Sequence, residues 1–405
     1  MTPVLYDPTL WKDELSHELL DNILPFWLTK TIDHQNGGFY GSLTNQLKID
    51  NSVGRSAILN TRILWTFSAA YLYKQDPQYI KIADYAHDYI RQHFIDPLCG
   101  GLFWMVDASG QVTNDRKHSY VQAFAIYSLS EYYRACGKEE ALREAQDLFA
   151  LLEKYTYEPK DGGYLEGKAC DWSELQDTRL SEREPESSKT MNTLLHVLEA
   201  FTALYRVWKD PLLEKRLSEL VTIFLDHVID PQKHHLRLFF NNTWKSSGTL
   251  ISYGHDIEAS WLLQEAANAL GQKDLVDKTR QAAVRISQAV YQEGLWPDGS
   301  IIYETDGPGY INRERHWWPA AEGMVGFYNA FQNSGASHFV TASHNCWAFA
   351  RQYLSDKQYG DWRKVLLEDY QVKPGTYKVG PWECPYHHTR ACLEMIKRLE
   401  HPPAP

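Results

Sequence analysis

The sequence predicts an all-α protein, an (α/α)6 barrel: a toroid of six helix hairpins with short β-hairpins in its loops. Three observations predict it. Twelve segments carry apolar residues at helical period. Glycine-bearing loops recur at a spacing of about 60 residues, the mark of a repeat architecture. The turns inside each pair of helices are short and polar, as in Lys74-Gln75-Asp76-Pro77 and Cys136-Gly137-Lys138, which favours antiparallel neighbours.

In chain order the helices are expected near 11–30, 56–74, 78–93, 118–136, 138–155, 189–208, 211–228, 256–271, 273–292, 317–333, 336–354 and 387–399. The first is typical, with Leu15, Leu19, Leu20, Ile23 and Leu24 on one stripe. Gly37-Gly38-Phe39-Tyr40 recurs as Gly100-Gly101-Leu102-Phe103 and Gly162-Gly163-Tyr164. Weaker echoes stand at His235-Leu236-Arg237-Leu238, Glu293-Gly294-Leu295-Trp296 and Gly360-Asp361-Trp362. Leu102 to Val106 alternates like a strand, so these loops are expected to hold hairpins. No Pro/Gly/Ser-rich linker divides the chain, so residues 1–405 are expected to form one catalytic domain. Asp171 to Ser188 is polar and acidic and reads as a loop over one mouth of the ring. An open solenoid of helix pairs is the alternative architecture.

Composition narrows the function. A net charge of −11 argues against nucleic acid, because phosphate binding needs a basic surface. No run approaches a membrane span, and Met1 to Trp11 lacks the pattern of a signal peptide. Six scattered cysteines without a CxxC pair point to reduced thiols in the cytoplasm, not to a disulfide frame or zinc site. Aromatic residues make up 13%, enough to fill a core and also to line a sugar cleft.

Four stretches place polar groups at helix mouths. Ser252-Tyr253-Gly254-His255-Asp256-Ile257-Glu258 sets an imidazole at an expected helix start, with Glu258 three residues on and on the same face. Gly254 reads as a tight turn before that helix. Arg62 sits inside an apolar helix, where an arginine needs a partner. It either pairs with Glu258 or Glu322, or presents its donors to an anionic oxygen. Asn192 and His196 share another helix face. His316-Trp317-Trp318 precedes Glu322; adjacent tryptophans cannot share a face, so one is core and the other faces the cavity. Gly380-Pro381-Trp382-Glu383-Cys384-Pro385-Tyr386-His387 ends a stiff loop and enters the last helix. The sequence has no HExxH and no cysteine pair, so no metal is expected. Two imidazoles without a metal suit acid/base chemistry near neutral pH, removing a proton from one face of a carbon and returning it on the other. A glycosidase would use two carboxyls, and Glu258 and Glu322 leave that open.

These stretches, with Leu59-Asn60-Thr61-Arg62-Ile63-Leu64-Trp65 and Lys189-Thr190-Met191-Asn192, resemble the cellobiose 2-epimerases of the N-acylglucosamine 2-epimerase superfamily over nearly the whole chain. The resemblance implies a metal-free and cofactor-free reaction at C2 of the reducing-end glucose of a β-1,4-linked disaccharide, through a cis-enediolate. It implies His255 and His387 as the acid/base pair, and Arg62 and His196 as holders of O1 and O2. Glu258 is then expected to orient His255 or bind a hydroxyl. Tyr120, Asn192 and Glu322 would position hydroxyls, and Trp318 and Trp382 would stack on the sugar rings. The expected partner is a small sugar, with the enzyme a monomer or weak homodimer. Two departures stand near the pocket: Pro319-Ala320-Ala321 follows the paired tryptophans, and His388 stands where an asparagine is expected. A mannose 2-epimerase or mannose isomerase is the nearer alternative, and a glycoside hydrolase on the same toroid the more distant one.

Overall fold

The computed structural model describes residues 7–401 apart from Arg183 and Pro308; Met1 to Tyr6 of the N-terminal stretch lie outside the described residues. Among those described, the chain forms twelve helices. The first, α1, runs from Pro8–His17 through a π-helical turn, Glu18–Ile23, into Leu24–Lys30. Then come α2 (Ala57–Lys74), α3 (Pro77–His93), α4 (Ser119–Cys136), α5 (Glu139–Tyr155) and α6 (Met191–Val207). α7 is Pro211–Ile223 with a π turn at Phe224–Val228, followed by α8 (Tyr253–Leu270), α9 (Lys273–Glu293) and α10 (Trp317–Ser334). α11 is Ser337–Phe349 with a π turn at Ala350–Leu354, and α12 is Tyr386–Glu400.

Local chemistry sets the ends. Asp7, Asp76 and Asp210 cap the outer helices α1, α3 and α7, each followed by a proline whose fixed φ suits the first helical position. Gly137, Gly271 and Gly335 end α4, α8 and α10 in the left-handed conformation that a residue without Cβ adopts freely. The two sets of helices differ in burial. From Ala57 to Ala70 every residue of α2 is buried. α5 buries one face only, with Ala141, Ala145, Leu148, Phe149 and Leu152. A helix buried all round belongs inside, and an amphipathic one belongs on the outer ring.

The even-numbered helices form the inner ring. Each packs on the next, and α12 packs on α2. That closure decides for the toroid over the open solenoid. Six loops repeat at one end, each closed by an antiparallel bridge: Ile32–Phe39, Ile95–Leu102, Tyr157–Tyr164, Ile229–Leu236, Leu295–Ile301 and Ser355–Trp362. The weak sequence echoes are thus true repeats. In the fourth loop His234 takes the left-handed conformation (φ 61°) that glycine holds elsewhere.

The strands do more than form hairpins inside each loop. The strand before an inner helix pairs with one from the following repeat, as Arg55–Ser56 with Met105–Val106 and Lys117–His118 with Gly167–Lys168. Leu43–Thr44 pairs with Tyr377–Val379 and joins the first repeat to the last.

Buried ion pairs staple five of the six loops to the chain beyond them: Asp33 to Arg55 (2.5 Å), Asp96 to Lys117 (2.9 Å), Glu158 to Lys189 (3.6 Å), Asp298 to Arg315 (3.2 Å) and Asp356 to Lys378 (2.6 Å). Arg55, Lys117, Lys189 and Arg315 each stand two residues before an inner helix. Ile251 holds that place in the fourth repeat. There Asp230 pairs with the half-exposed Arg237 of its own loop, and His235 Nδ1 bonds Asp256 Oδ2 of α8 (2.7 Å) instead.

Candidate active site

The site is built where inner helices begin. Arg62 lies one turn into α2 and is buried. One guanidinium nitrogen donates to the Tyr120 hydroxyl (2.8 Å), another contacts Cys384 Sγ (3.6 Å), and the group lies 4.1 Å from the Phe124 ring centre. Of the two alternatives for Arg62, the pairing with Glu258 or Glu322 does not occur. Among the described residues no carboxylate pairs with Arg62, and its Nε makes no hydrogen bond. Burial pushes the Tyr120 phenol up, against the opposing pull of Arg62. Asn192 is half-buried one turn before His196, with its Oδ1 buried and without a hydrogen bond.

His255 is held differently from expectation. α8 begins at Tyr253, so His255 lies in its first turn and not ahead of it. Its Nδ1 meets Ser252 Oγ at 2.7 Å. Glu258, expected to orient it, bonds elsewhere, because one turn deeper its carboxylate meets Arg390. Gly254 is helical and makes no turn: a Cβ there would stand 2.5 Å from the Trp318 ring. The glycine lets Trp318 pack against α8, with its ring centre 4.7 Å from His255 and 5.6 Å from His387. Trp317 points the other way, into the core beside Lys364.

His387, second residue of α12, is buried and its Nδ1 bonds Glu322 Oε1 at 2.7 Å. Glu322 also accepts from Arg390 (2.7 Å) and, on its other oxygen, from Trp261 (3.1 Å). Arg390 reaches Glu258 Oε1 at 2.7 Å and bonds Glu199 and the Tyr386 hydroxyl. Glu199 in turn bonds His196 Nδ1 at 3.0 Å. One guanidinium thus links three buried carboxylates, and through Glu322 and Glu199 it links two histidines.

The electrostatics follow. Burial pushes His255 down to about 3, helped by the nearby His196. Burial, then Arg62 and Arg390, push His387 well below the ordinary imidazole range. Burial also lowers His196, against the pull of Glu199. Burial would raise Glu199, but Arg390 and His196 bring it down to about 2. Glu258 is driven well above the carboxylate range by burial and by Glu322, and burial raises Glu322. Burial thus favours the neutral form of all three imidazoles. The bond to Glu322 occupies Nδ1 of His387, so Nε2 is the ring nitrogen left for other partners.

Glu258, Glu322 and His387 bring donor atoms within 4.8 Å of one another, the geometry of a metal ligand set. They do not suit a cation, because the Arg390 guanidinium already stands 2.7 Å from both carboxylates and supplies the positive charge.

Sequence reasoning missed Arg390, Glu199 and Tyr386. The visible signal was the spacing Tyr386, His387, Arg390 on the first turn of α12, which puts Tyr386 and Arg390 on one face. The two departures fall outside the chemistry. His388 points into the wall, bonding Asp361 Oδ1 (2.6 Å) beside the Trp362 ring, and Pro319 packs against α8 near Gly254. Trp382 lies beside Tyr120, ring centres 5.7 Å apart.

The comparisons with known proteins agree with this architecture. The family model described as N-acylglucosamine 2-epimerase matches residues 38–391. A cellobiose 2-epimerase of Bacteroides fragilis is 42% identical over 386 residues, covering 95% of this chain and 98% of that protein. The structure of the cellobiose 2-epimerase from Bacillus thermoamylovorans B4167 superposes with a TM-score of 0.92 at 40% identity, covering 96% of this chain and 100% of that one. A D-mannose isomerase of Marinomonas mediterranea is more distant, at 21% identity over 407 residues. The chain belongs to the N-acylglucosamine 2-epimerase family, falls with its cellobiose 2-epimerases, and is an isomerase.

Proposed function

We propose that the protein epimerises the reducing-end glucose of cellobiose and related β-1,4-linked disaccharides at C2, without metal or cofactor. The observation that carries this reading is the pair of neutral imidazoles, His255 and His387, set around the Trp318 ring with Arg62 and His196 close by. The sugar reacts as its open-chain aldehyde. One imidazole takes the C2 proton, and the C–H electron pair moves into a C1–C2 double bond while O1 gains the negative charge. Arg62, unpaired with any carboxylate, and His196 hold O1 and O2 of this cis-enediolate. The other imidazole, which takes a proton from water once the sugar is bound, delivers it to the opposite face of C2, the carbonyl re-forms, and the first imidazole returns its proton to water. Tyr120 and Asn192 position hydroxyls, Glu322 orients His387, and Glu258 binds through Arg390. Trp318 and Trp382 pack on the sugar rings.

The whole chain acts as one catalytic domain, as a monomer or weak homodimer in the cytoplasm. The location is supported by the six cysteines, all free in the structure. Incubation with cellobiose, and separately with mannose, in D2O, followed by NMR, tests the reaction. Epimerisation gives glucosyl-mannose carrying deuterium at C2. Free glucose would replace this reading with hydrolysis, and fructose from mannose would replace it with isomerisation.

A further inference from the structure

An aromatic ladder runs outward from the reaction centre. It starts at buried Arg62, whose guanidinium donates to Tyr120. Tyr120 meets the edge of Trp382, and Trp382 meets Trp104 at 6.2 Å between ring centres and 66° between planes. The ladder ends at Arg116, whose guanidinium carbon lies 3.8 Å over the Trp104 ring. Trp104 is buried, so it offers a sugar almost no face and serves to fix Trp382, which is only partly buried.

Arg116 also reaches the acidic loop. Its Nη1 donates to the Arg179 carbonyl at 3.1 Å, and the charges of Asp177 and Glu184 act on it. One half-buried side chain therefore joins the outer end of the ladder to the segment 171–188, expected to lie over the mouth. A planar guanidinium suits both tasks: it stacks on an indole and donates in its own plane.

We propose that Arg116 is a positioning residue for the second sugar ring of a disaccharide, acting through Trp104 on Trp382 and through the Arg179 carbonyl on the 171–188 loop. This rests on the disaccharide reading above. The reducing-end sugar meets Arg62 and the histidines directly, so only the ring beyond it feels the outer end of the ladder.

The test uses the full chain and two reduced sugars that bind without turning over: glucitol, which mimics the open reducing-end unit, and cellobiitol, which adds the second ring. Their dissociation constants are measured by calorimetry for wild type, Arg116→Ala and Arg116→Lys, alongside cellobiose kinetics. The expected result for Arg116→Ala is about tenfold weaker cellobiitol binding and a matching rise in KM. Glucitol binding and kcat should stay within twofold. Arg116→Lys, which keeps the charge over Trp104, should recover part of the loss. Unchanged cellobiitol binding in Arg116→Ala would overturn the proposal, as would an equal loss for both sugars. Failure of wild type to epimerise cellobiose would instead count against the functional reading.

Discussion

The two walls that carry the imidazoles are built differently. Behind His387 stand Glu322, Arg390, Glu258 and Glu199, a buried network tied to three inner helices besides its own. Behind His255 stands one hydroxyl, Ser252 Oγ. The hairpin beneath His255 is also the one repeat that lacks a buried Lys or Arg staple, and a His235–Asp256 pair takes its place. A carboxylate favours the protonated form of the imidazole it touches, whereas a hydroxyl is nearly indifferent. Burial with Arg62 and Arg390 outweighs that carboxylate and lowers His387 all the same, so the asymmetry lies in how firmly each ring is held: His387 is fixed in a network, and His255 is the histidine more easily adjusted by its surroundings.

The largest effect expected treats the walls alike. His255→Ala and His387→Ala should each lower kcat by about 10²–10⁴-fold or more, the usual contribution of a positioned acid or base. Circular dichroism should stay helical. Full activity in either variant would end the two-histidine scheme.

The next pair separates the walls. Glu322→Gln removes a charge-assisted bond, a loss of about 1.5–3 kcal/mol, so kcat should fall about 10–100-fold. Ser252→Ala removes a neutral bond worth about 0.5–1.5 kcal/mol, so its loss should stay within about tenfold. Equal losses in steady-state kinetics would show that the walls work alike.

The smallest effect concerns pH. His235 is buried, which would lower its pKa, but Asp256 and Glu293 raise it above the ordinary imidazole value. The pair's stabilisation is thus fully present below the unfolded value of about 6.5 and is lost as pH rises through the raised folded value. Asp256 and Glu293, with the Tyr253 ring 5.5 Å away, are the titratable groups that face His235. Arginine staples do not titrate in this range. Amide exchange, corrected for its intrinsic pH dependence, should accelerate around residues 250–257 as pH rises past neutral. The amides near Arg55 and Arg315 should not follow.

Much of the molecule was legible in the sequence. Helical period showed twelve helices, because burying one face leaves an apolar stripe at 3.6-residue spacing. The Gly-Gly loops exposed the repeat, since two adjacent left-handed residues favour glycine. Where His234 replaced glycine the echo was faint. The start of α8 was misplaced by a few residues because Gly254 reads as a turn; only the position of Trp318 shows that it makes room for a ring.

His255, His387, Arg62 and His196 were determined by the sequence alone as polar groups at the mouths of apolar helices. Which group touches which was decided by tertiary structure. Arg390 and Glu199 are far apart in the chain, and so are Glu322 and His387. Closure of the ring brings α6, α8, α10 and α12 together and makes one guanidinium answer three buried carboxylates. Local sequence cannot encode that match, because a buried charge selects its partner by distance in space and by the water it has lost.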